Sequence, residues 1–166
     1  MMISEKLSAA MSAQVGREFA ASNQYVAIAT YFERESLEKL AEFFYRQAEE
    51  ENEHAMKFVH YVTEAGGMAM IPTIEAPRHD IGSAENAAKL SLDWENEVTR
   101  QITALMDQAV KETDYLAQDF LRWFINEQLE EVTTMETLLK VIQRAGPNGL
   151  LLVESYVAGR GAAHEE

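Results

Sequence analysis

The sequence predicts an all-α protein: a four-helix bundle with a long crossover linker between the second and third helices and a short fifth helix. Four long stretches place apolar residues at alternating steps of three and four, the spacing of one buried helix face. Proline occurs only at positions 72, 77 and 147, and every glycine except Gly16 lies between or after these stretches. No stretch alternates apolar and polar residues long enough to predict a strand. We therefore expect one domain over residues 1–166.

The first two helices are expected at about 4–34 and 36–65. Ser36 is the expected N-cap of the second helix, and Gly66-Gly67 is expected to end it. The buried face of the first helix is expected to contain Leu7, Met11, Gln14, Glu18, Ala21, Tyr25, Ile28 and Phe32. That of the second is expected to contain Leu37, Leu40, Phe44, Ala48, Glu51, Ala55, Phe58 and Val62.

Residues 68–82 form a linker long enough to cross the bundle, so the third helix can run parallel to the second. Ser83 is the expected N-cap of this third helix, at about 83–112. The fourth is expected at 115–145, stopped by Gly146-Pro147, and a fifth at 148–158. The buried face of the third is expected to contain Ala88, Leu92, Glu95, Val98, Ile102, Leu105 and Ala109. That of the fourth is expected to contain Phe120, Phe124, Glu127, Glu131, Thr134, Leu138 and Val141.

Composition excludes several classes of protein. The net charge of −14 disfavours binding to nucleic acid or anionic lipid. The absence of cysteine excludes disulfides, thiolate metal sites and a thiol nucleophile. We find no signal peptide and no apolar run long enough for a membrane span, which is compatible with the cytoplasm. His60, His79 and His164 are expected at the surface.

Glutamates interrupt the apolar face of each long helix near its middle. Glu18 and Glu51 are 33 positions apart, Glu95 and Glu127 are 32 apart, and Glu51-x-x-His54 is echoed by Glu127-x-x-Glu130. In a bundle these side chains would meet in the core, where an unpaired carboxylate costs several kcal/mol. The inner faces offer almost no basic partner, so the pattern predicts bound divalent metal rather than a structural polar layer.

The types of ligand narrow the choice of metal. Oxygen ligands alone suit Mg²⁺, Ca²⁺ or Mn²⁺, whereas one imidazole moves the preference toward iron, manganese or zinc. Several bridging carboxylates favour two adjacent ions. Glu51 is the best candidate bridge, with Glu18 and His54 completing one ion's ligands and Glu95 and Glu131 serving the other. This pattern resembles that of di-iron helical bundles.

The chain also resembles the non-haem bacterial ferritins over nearly its whole length. The matching stretches are 17–25 (REFAASNQY), 48–55 (AEEENEHA), 94–95 (WE) and 123–131 (WFINEQLEE). The resemblance implies a ferritin-like fold and a ferroxidase centre. Its first iron site would comprise Glu18, Glu51 and His54, and its second Glu51, Glu95 and Glu131, with Gln128 nearby. It would add a third iron site of Glu50, Glu127 and Glu130, with Glu131 shared.

The resemblance also implies an activity and an assembly. Members of this family form hollow shells of 24 subunits, oxidise Fe²⁺ with O₂ or peroxide, and store ferric mineral inside. Tyr25 matches a tyrosine beside the centre, and Trp123 matches a nearby aromatic residue, although either could simply pack in the core. Asp119 matches an acidic entry residue of a channel, whereas Arg122 replaces a carboxylate common in animal ferritins. The apolar segment 150–157 is expected either at a four-fold shell contact or docked on its own bundle.

Two departures argue against a haem-containing bacterioferritin. Asn52 stands where those proteins have a haem-ligating methionine, and Glu130 stands where they have a second histidine. We therefore expect no haem. Three other hypotheses remain: a DNA-protecting miniferritin, disfavoured by charge; a rubrerythrin-like peroxidase, disfavoured by the lack of cysteine; and a helical scaffold without metal.

Overall fold

The computed structural model describes residues 2–163, and the side chains of residues 2–160. Its elements are α1 (Glu5–Arg34), α2 (Glu38–Glu64), α3 (Ala84–Lys111), α4 (Tyr115–Ala145), a 3₁₀ turn (Pro147–Gly149) and α5 (Leu150–Ala163). The described residues contain no strand, so the predicted fold class is confirmed. His164 and the last two residues of the expected domain lie outside the described part.

Two tight turns join the long helices into hairpins. After α1, the Leu37 amide donates to Phe32 O at 2.9 Å and the Ser36 amide to Glu33 O at 3.0 Å, while Ser36 has a φ of 59°. This is a Schellman motif, in which glycine is the usual left-handed residue. The prediction that Ser36 caps α2 is therefore wrong, because Ser36 ends α1 instead. The turn after α3 has the same design, with Thr113 at a φ of 56°.

The N-cap position of α2 is occupied by Leu37, whose side chain makes no capping hydrogen bond. Glu154 of α5 supplies the missing acceptor, receiving the Lys39 and Leu40 amides at 2.8 Å each. The remaining caps are local. Ser4, Ser83 and Asp114 each accept a hydrogen bond from a backbone amide three residues later, which confirms Ser83 as the N-cap of α3.

The linker of residues 68–82 crosses the bundle along α1. Near its start Ser12 Oγ accepts from the Met70 amide at 3.1 Å, and further along the Arg78 amide donates to Gln24 Oε1 at 2.8 Å. Pro72 lies directly against Gly16, where a Cβ atom would overlap its ring. Because the linker travels the length of α1, α3 begins at the same end of the bundle as α2, so the two run parallel.

Two apolar clusters fill the bundle, one toward each end. One is built from residues 25–48 of α1 and α2 with 81–88 and 135–157, and the other from residues 3–15, 55–65, 98–109 and 117–124. Neither cluster contains residues 18, 51, 95, 128 or 131. A buried polar layer therefore separates the two halves of the core, at the middle of all four long helices.

The buried face of α4 differs from the expected one. It contains Ala117, Leu121, Phe124, Gln128, Glu131, Met135, Leu138 and Ile142. Glu127 is only partly buried, and Gln128 takes the central position, because the true face steps by four residues after Phe124 where three were expected. The α5 helix docks on its own bundle through the buried Val153 and Val157, while Leu151 and Leu152 remain exposed.

Candidate metal centre

Four glutamates, one from each long helix, meet in the polar layer. Their side chains are almost completely buried: Glu18 and Glu51 are 1% exposed, Glu95 is 0% and Glu131 is 3%. The neighbouring polar residues Gln14, His54 and Gln128 are buried as well. The layer therefore places several acids where water cannot solvate them.

Ligand atoms within 4.8 Å of one another form two fully buried groups in the described residues. One group consists of Glu18, Glu51 and His54, and the other of Glu51, Glu95 and Glu131. Glu51 belongs to both, so the structure has the geometry of two adjacent cation positions with a shared carboxylate. A third, more open group joins His54 and Glu131 to Glu127.

Glu51 and Glu18 each have a carboxylate oxygen without a hydrogen-bond partner. Oε1 of Glu51 and Oε2 of Glu18 are buried and unpaired within the described residues. A buried acceptor left unsatisfied costs about 1–3 kcal/mol, and more for a charged group. A bound cation would satisfy both oxygens, because carboxylate oxygens together with an imidazole nitrogen are suitable ligands for a divalent metal.

Burial and mutual repulsion raise the pKa values of these carboxyl groups. Burial, followed by repulsion from Glu95, raises the pKa of Glu131 to about 10. Burial raises the pKa of Glu95 to about 7 and lifts that of Glu51 well above its usual range. The metal-free site therefore holds protons that a multivalent cation would displace.

His54 is held as a neutral imidazole. Burial, aided by the nearby Lys57 charge, lowers its pKa to about 4, so at neutral pH one of its ring nitrogens is unprotonated and available as a ligand. Nδ1 lies 3.2 Å from Glu51 Oε2, and Nε2 lies 3.9 Å from Glu127 Oε1. The Trp123 ring packs edge-to-face against His54 at a centroid distance of 5.5 Å, and Trp123 is 42% exposed, so it lies beside the buried residues rather than within the core.

Tyr25 and Gln128 hold Glu95 from two sides. The fully buried Tyr25 hydroxyl donates to Glu95 Oε1, and Gln128 Nε2 donates to Glu95 Oε2 at 3.1 Å. Burial, followed by the Glu95 charge, raises the pKa of Tyr25 well above its usual value, so it remains a donor. The structure thus places Tyr25 directly beside the paired positions, where it also packs in the core.

The residues expected at a third site lie outside the buried pair. Glu50 and Glu130 are exposed and Glu127 is partly buried. They line a cavity of about 380 Å³ whose wall also includes the buried Glu131 and, from α5, Tyr156 and Arg160. These residues share a cavity next to the centre, but among the described residues Glu50 and Glu130 belong to no group of ligand atoms within 4.8 Å of one another. Asp119 and Arg122 are both exposed on α4, away from the polar layer.

Sequence reasoning missed the supporting role of two glutamines. Gln14 donates to Glu18 Oε1 at 2.7 Å, and Gln47 donates to Glu50 Oε2 at 3.2 Å. Each lies three or four positions before its glutamate. That spacing places both side chains on one face of the helix and could have signalled the contacts.

Comparison with known proteins agrees with this geometry. A family model described as a ferritin-like domain matches residues 8–145. Ferritin BfrB of Mycobacterium tuberculosis is 42% identical over 153 residues, covering 92% of this chain and 84% of that protein. A bacterial non-heme ferritin of Staphylococcus epidermidis is 37% identical over 161 residues, covering 96% and 97%.

A solved structure extends the likeness to the backbone. An open pore ferritin from the archaeon Archaeoglobus fulgidus superposes with a TM-score of 0.91 at 28% identity, covering 94% of this chain and 96% of that one. Among residues 2–163, no helix is long and apolar enough to cross a membrane. These matches support iron binding and iron storage, and together with the buried carboxylate layer they establish that the chain belongs to the ferritin family.

Proposed function

We propose that this chain is a ferroxidase that oxidises Fe²⁺ to Fe³⁺ and stores the product as ferric mineral inside a shell of 24 subunits. The observation that carries the proposal is the pair of buried ligand groups sharing Glu51. Two unpaired carboxylate oxygens in these groups face a core without a cationic partner for them in the described residues. Neither a scaffold nor a folding role explains why four helices each place an acid there.

The chemistry follows from the donors. Glu18, Glu51 and His54 would hold one Fe²⁺, and Glu51, Glu95 and Glu131 the other, with Gln128 and Tyr25 fixing Glu95. Anionic oxygen ligands favour Fe³⁺ over Fe²⁺, because the higher charge gains more from them. Two Fe²⁺ each give one electron to O₂, which leaves as H₂O₂ after taking two protons. Two adjacent metal positions suit this two-electron step.

Product leaves the centre through the neighbouring cavity. Glu50, Glu127 and Glu130 line it, and Glu131 belongs both to the cavity and to the second metal position. A third iron bound there would lie between the centre and open solvent. Arg46 and Arg160 also line this cavity, so its wall carries both carboxylates and cationic side chains.

The assembly and the location of the protein belong to the same proposal. We take residues 1–166 as one ferritin-like domain that acts in the cytoplasm, without haem, nucleic acid or membrane as partner. The exposed Leu151 and Leu152 of α5, at 75% and 73% exposure, are available for contact with neighbouring subunits. Sedimentation of the purified protein tests the shell: a 24-subunit particle is expected, and a stable monomer or dimer would refute it.

A progress curve tests the ferroxidase activity. Metal-free protein receives Fe²⁺ in aerated buffer, and ferric absorbance is compared with that of buffer alone. We expect a fast phase that saturates at about two or three irons per chain, one for each position, followed by a slower phase. The Glu51→Gln variant should lose the fast phase, because it weakens both positions.

Glu53 offers a matched control, since it is an exposed glutamate two residues further along α2. Glu53→Gln should retain the fast phase. A Glu51→Gln variant that folds and still oxidises iron as fast as the unmodified protein would refute the site. Equal curves for the unmodified protein and the buffer would refute the activity.

A further inference from the structure

Gln14 lies one helical turn before Glu18 on α1 and is fully buried. Its Nε2 donates to Glu18 Oε1 at 2.7 Å and to Gln101 Oε1 on α3 at 3.2 Å. Its Oε1 accepts from Arg17 Nη1 at 3.2 Å. Both amide hydrogens and the carbonyl oxygen of Gln14 are therefore engaged.

These partners permit only one orientation of the amide. A flipped Gln14 would turn its carbonyl oxygen toward the Glu18 carboxylate and its NH₂ group toward the Arg17 guanidinium. Gln101 is fixed in turn, because its own Nε2 donates to Glu97 Oε1 at 3.2 Å. A chain of hydrogen bonds thus runs from the α1–α3 surface to one oxygen of Glu18.

The other oxygen of Glu18, Oε2, is buried and accepts no hydrogen bond from an N–H or hydroxyl group in the described residues. The carboxyl group of Glu51 lies within hydrogen-bond reach of Glu18. Glu18 contributes to the group that it forms with Glu51 and His54. Because Oε1 is occupied by Gln14, Glu18 has a single unengaged oxygen to offer a cation at that position.

We infer that Gln14 is a positioning residue for the metal position of Glu18, Glu51 and His54: it holds one oxygen of Glu18 and leaves the other free to bind the ion. Arg17 supports Gln14 from the surface. The inference rests on the proposed function, since it takes Glu18 as a metal ligand. Partners of this kind, one shell beyond the metal, typically change metal affinity by about 10–100-fold when removed.

Zn²⁺ binding measured separately at the two positions tests this role. Crystals of the metal-free protein are soaked in graded Zn²⁺, and anomalous scattering gives the occupancy at each position. In Gln14→Leu the Zn²⁺ concentration for half-occupancy at the Glu18 position should rise by about tenfold or more. At the Glu51–Glu95–Glu131 position the Zn²⁺ concentration for half-occupancy should change less than twofold, because none of these three ligands is hydrogen-bonded to Gln14.

Gln24 provides a matched control on the same helix. It is 1% exposed, and its amide bonds only to the Arg78 backbone in the linker, at 2.9 and 2.8 Å. Gln24→Leu should lower stability yet leave Zn²⁺ occupancy at both positions unchanged. Arg17→Gln should lower the Zn²⁺ affinity of the Glu18 position by about two- to fivefold, a small effect because the Arg17 charge is exposed to solvent. Arg17→Lys keeps the charge and should therefore lose less affinity than Arg17→Gln.

The outcomes separate the inference from the function on which it rests. Equal Zn²⁺ occupancy at the Glu18 position in Gln14→Leu and the unmodified protein would overturn the role of Gln14. So would an equal loss at both positions, or the same loss in Gln24→Leu, since either would indicate general destabilisation. If the unmodified protein binds no Zn²⁺ at either position, the proposed metal centre itself fails.

Discussion

Replacing Glu131 by glutamine should stabilise the metal-free protein while weakening its metal binding. Burial raises the pKa of Glu131 from 4.5 to about 10, so the folded chain keeps a proton there that the unfolded chain loses. Glutamine has nearly the same shape and stays neutral at every pH. The substitution therefore removes the cost of an acid held in the core.

The size and the sign of the effect follow from linkage. Below about pH 4 both states of the unmodified protein are protonated at Glu131, and the variant gains nothing. As pH rises, the unfolded chain ionises while the folded one does not, so stability falls by about 1.4 kcal/mol per pH unit. At pH 8 the variant should be more stable by about 5 kcal/mol, or about 10–20 °C in Tm.

Thermal unfolding followed by circular dichroism at about pH 5, 6.5 and 8 measures this difference. Glu136→Gln is the control, because Glu136 is an exposed residue of the same helix. Its 3.0 Å ion pair with Lys140 should contribute less than about 1 kcal/mol to the free energy of unfolding. Saturating Zn²⁺ should raise the Tm of the unmodified protein more than that of Glu131→Gln. The reasoning is refuted if the variant is no more stable at pH 8, or if its advantage does not grow between pH 5 and pH 8.

Three further substitutions test the fold around the site. Thr113→Gly should raise the free energy of unfolding by about 1 kcal/mol in denaturant titrations, because a β-branched residue is strained at a φ of 56°; an unchanged midpoint would contradict this. Gly16→Ala should lower it by about 1–3 kcal/mol and speed proteolysis of the linker, since the new Cβ would overlap Pro72; resistance equal to that of the parent protein would show that the linker moves freely. Glu154→Ala should cost about 1 kcal/mol and speed hydrogen exchange of the Leu40 amide, because the N-terminus of α2 loses its acceptor; unchanged exchange would rule out the cap.

Periodicity was sufficient to predict the helices and all four glutamates in the core. The spacing of apolar residues in α1, α2 and α3 predicts Glu18, Glu51 and Glu95 on buried faces. In α3 the prediction that Leu92 is buried is wrong, because Ser91 faces the core and Leu92 is only partly buried. In α4 two candidate faces share Phe124 and Glu131, and periodicity alone does not choose between them. The choice of Glu127 rather than Gln128 for the central position was therefore wrong.

Contacts between distant segments were beyond the reach of sequence patterns. Ser36 has the residue type of an N-cap, yet α2 takes its cap from Glu154, more than a hundred positions away. The paired bonds of Gln14 to Glu18 and Gln101 depend on how closely α1 approaches α3. The glutamate ligands could be predicted because their burial needs an explanation, whereas a buried glutamine bonded to its neighbours needs none.

The matching turns at Ser36 and Thr113 indicate an internal pseudo-two-fold relation between the hairpins. The same 77 positions separate Ser36 from Thr113, Glu18 from Glu95, Glu51 from Gln128 and His54 from Glu131. The backbone thus offers nearly equivalent halves, and the side chains break the equivalence at two pairs, Glu51 with Gln128 and His54 with Glu131. Two identical ions bound here would have different ligand charge, so each should give its own spectroscopic signal and its own redox potential.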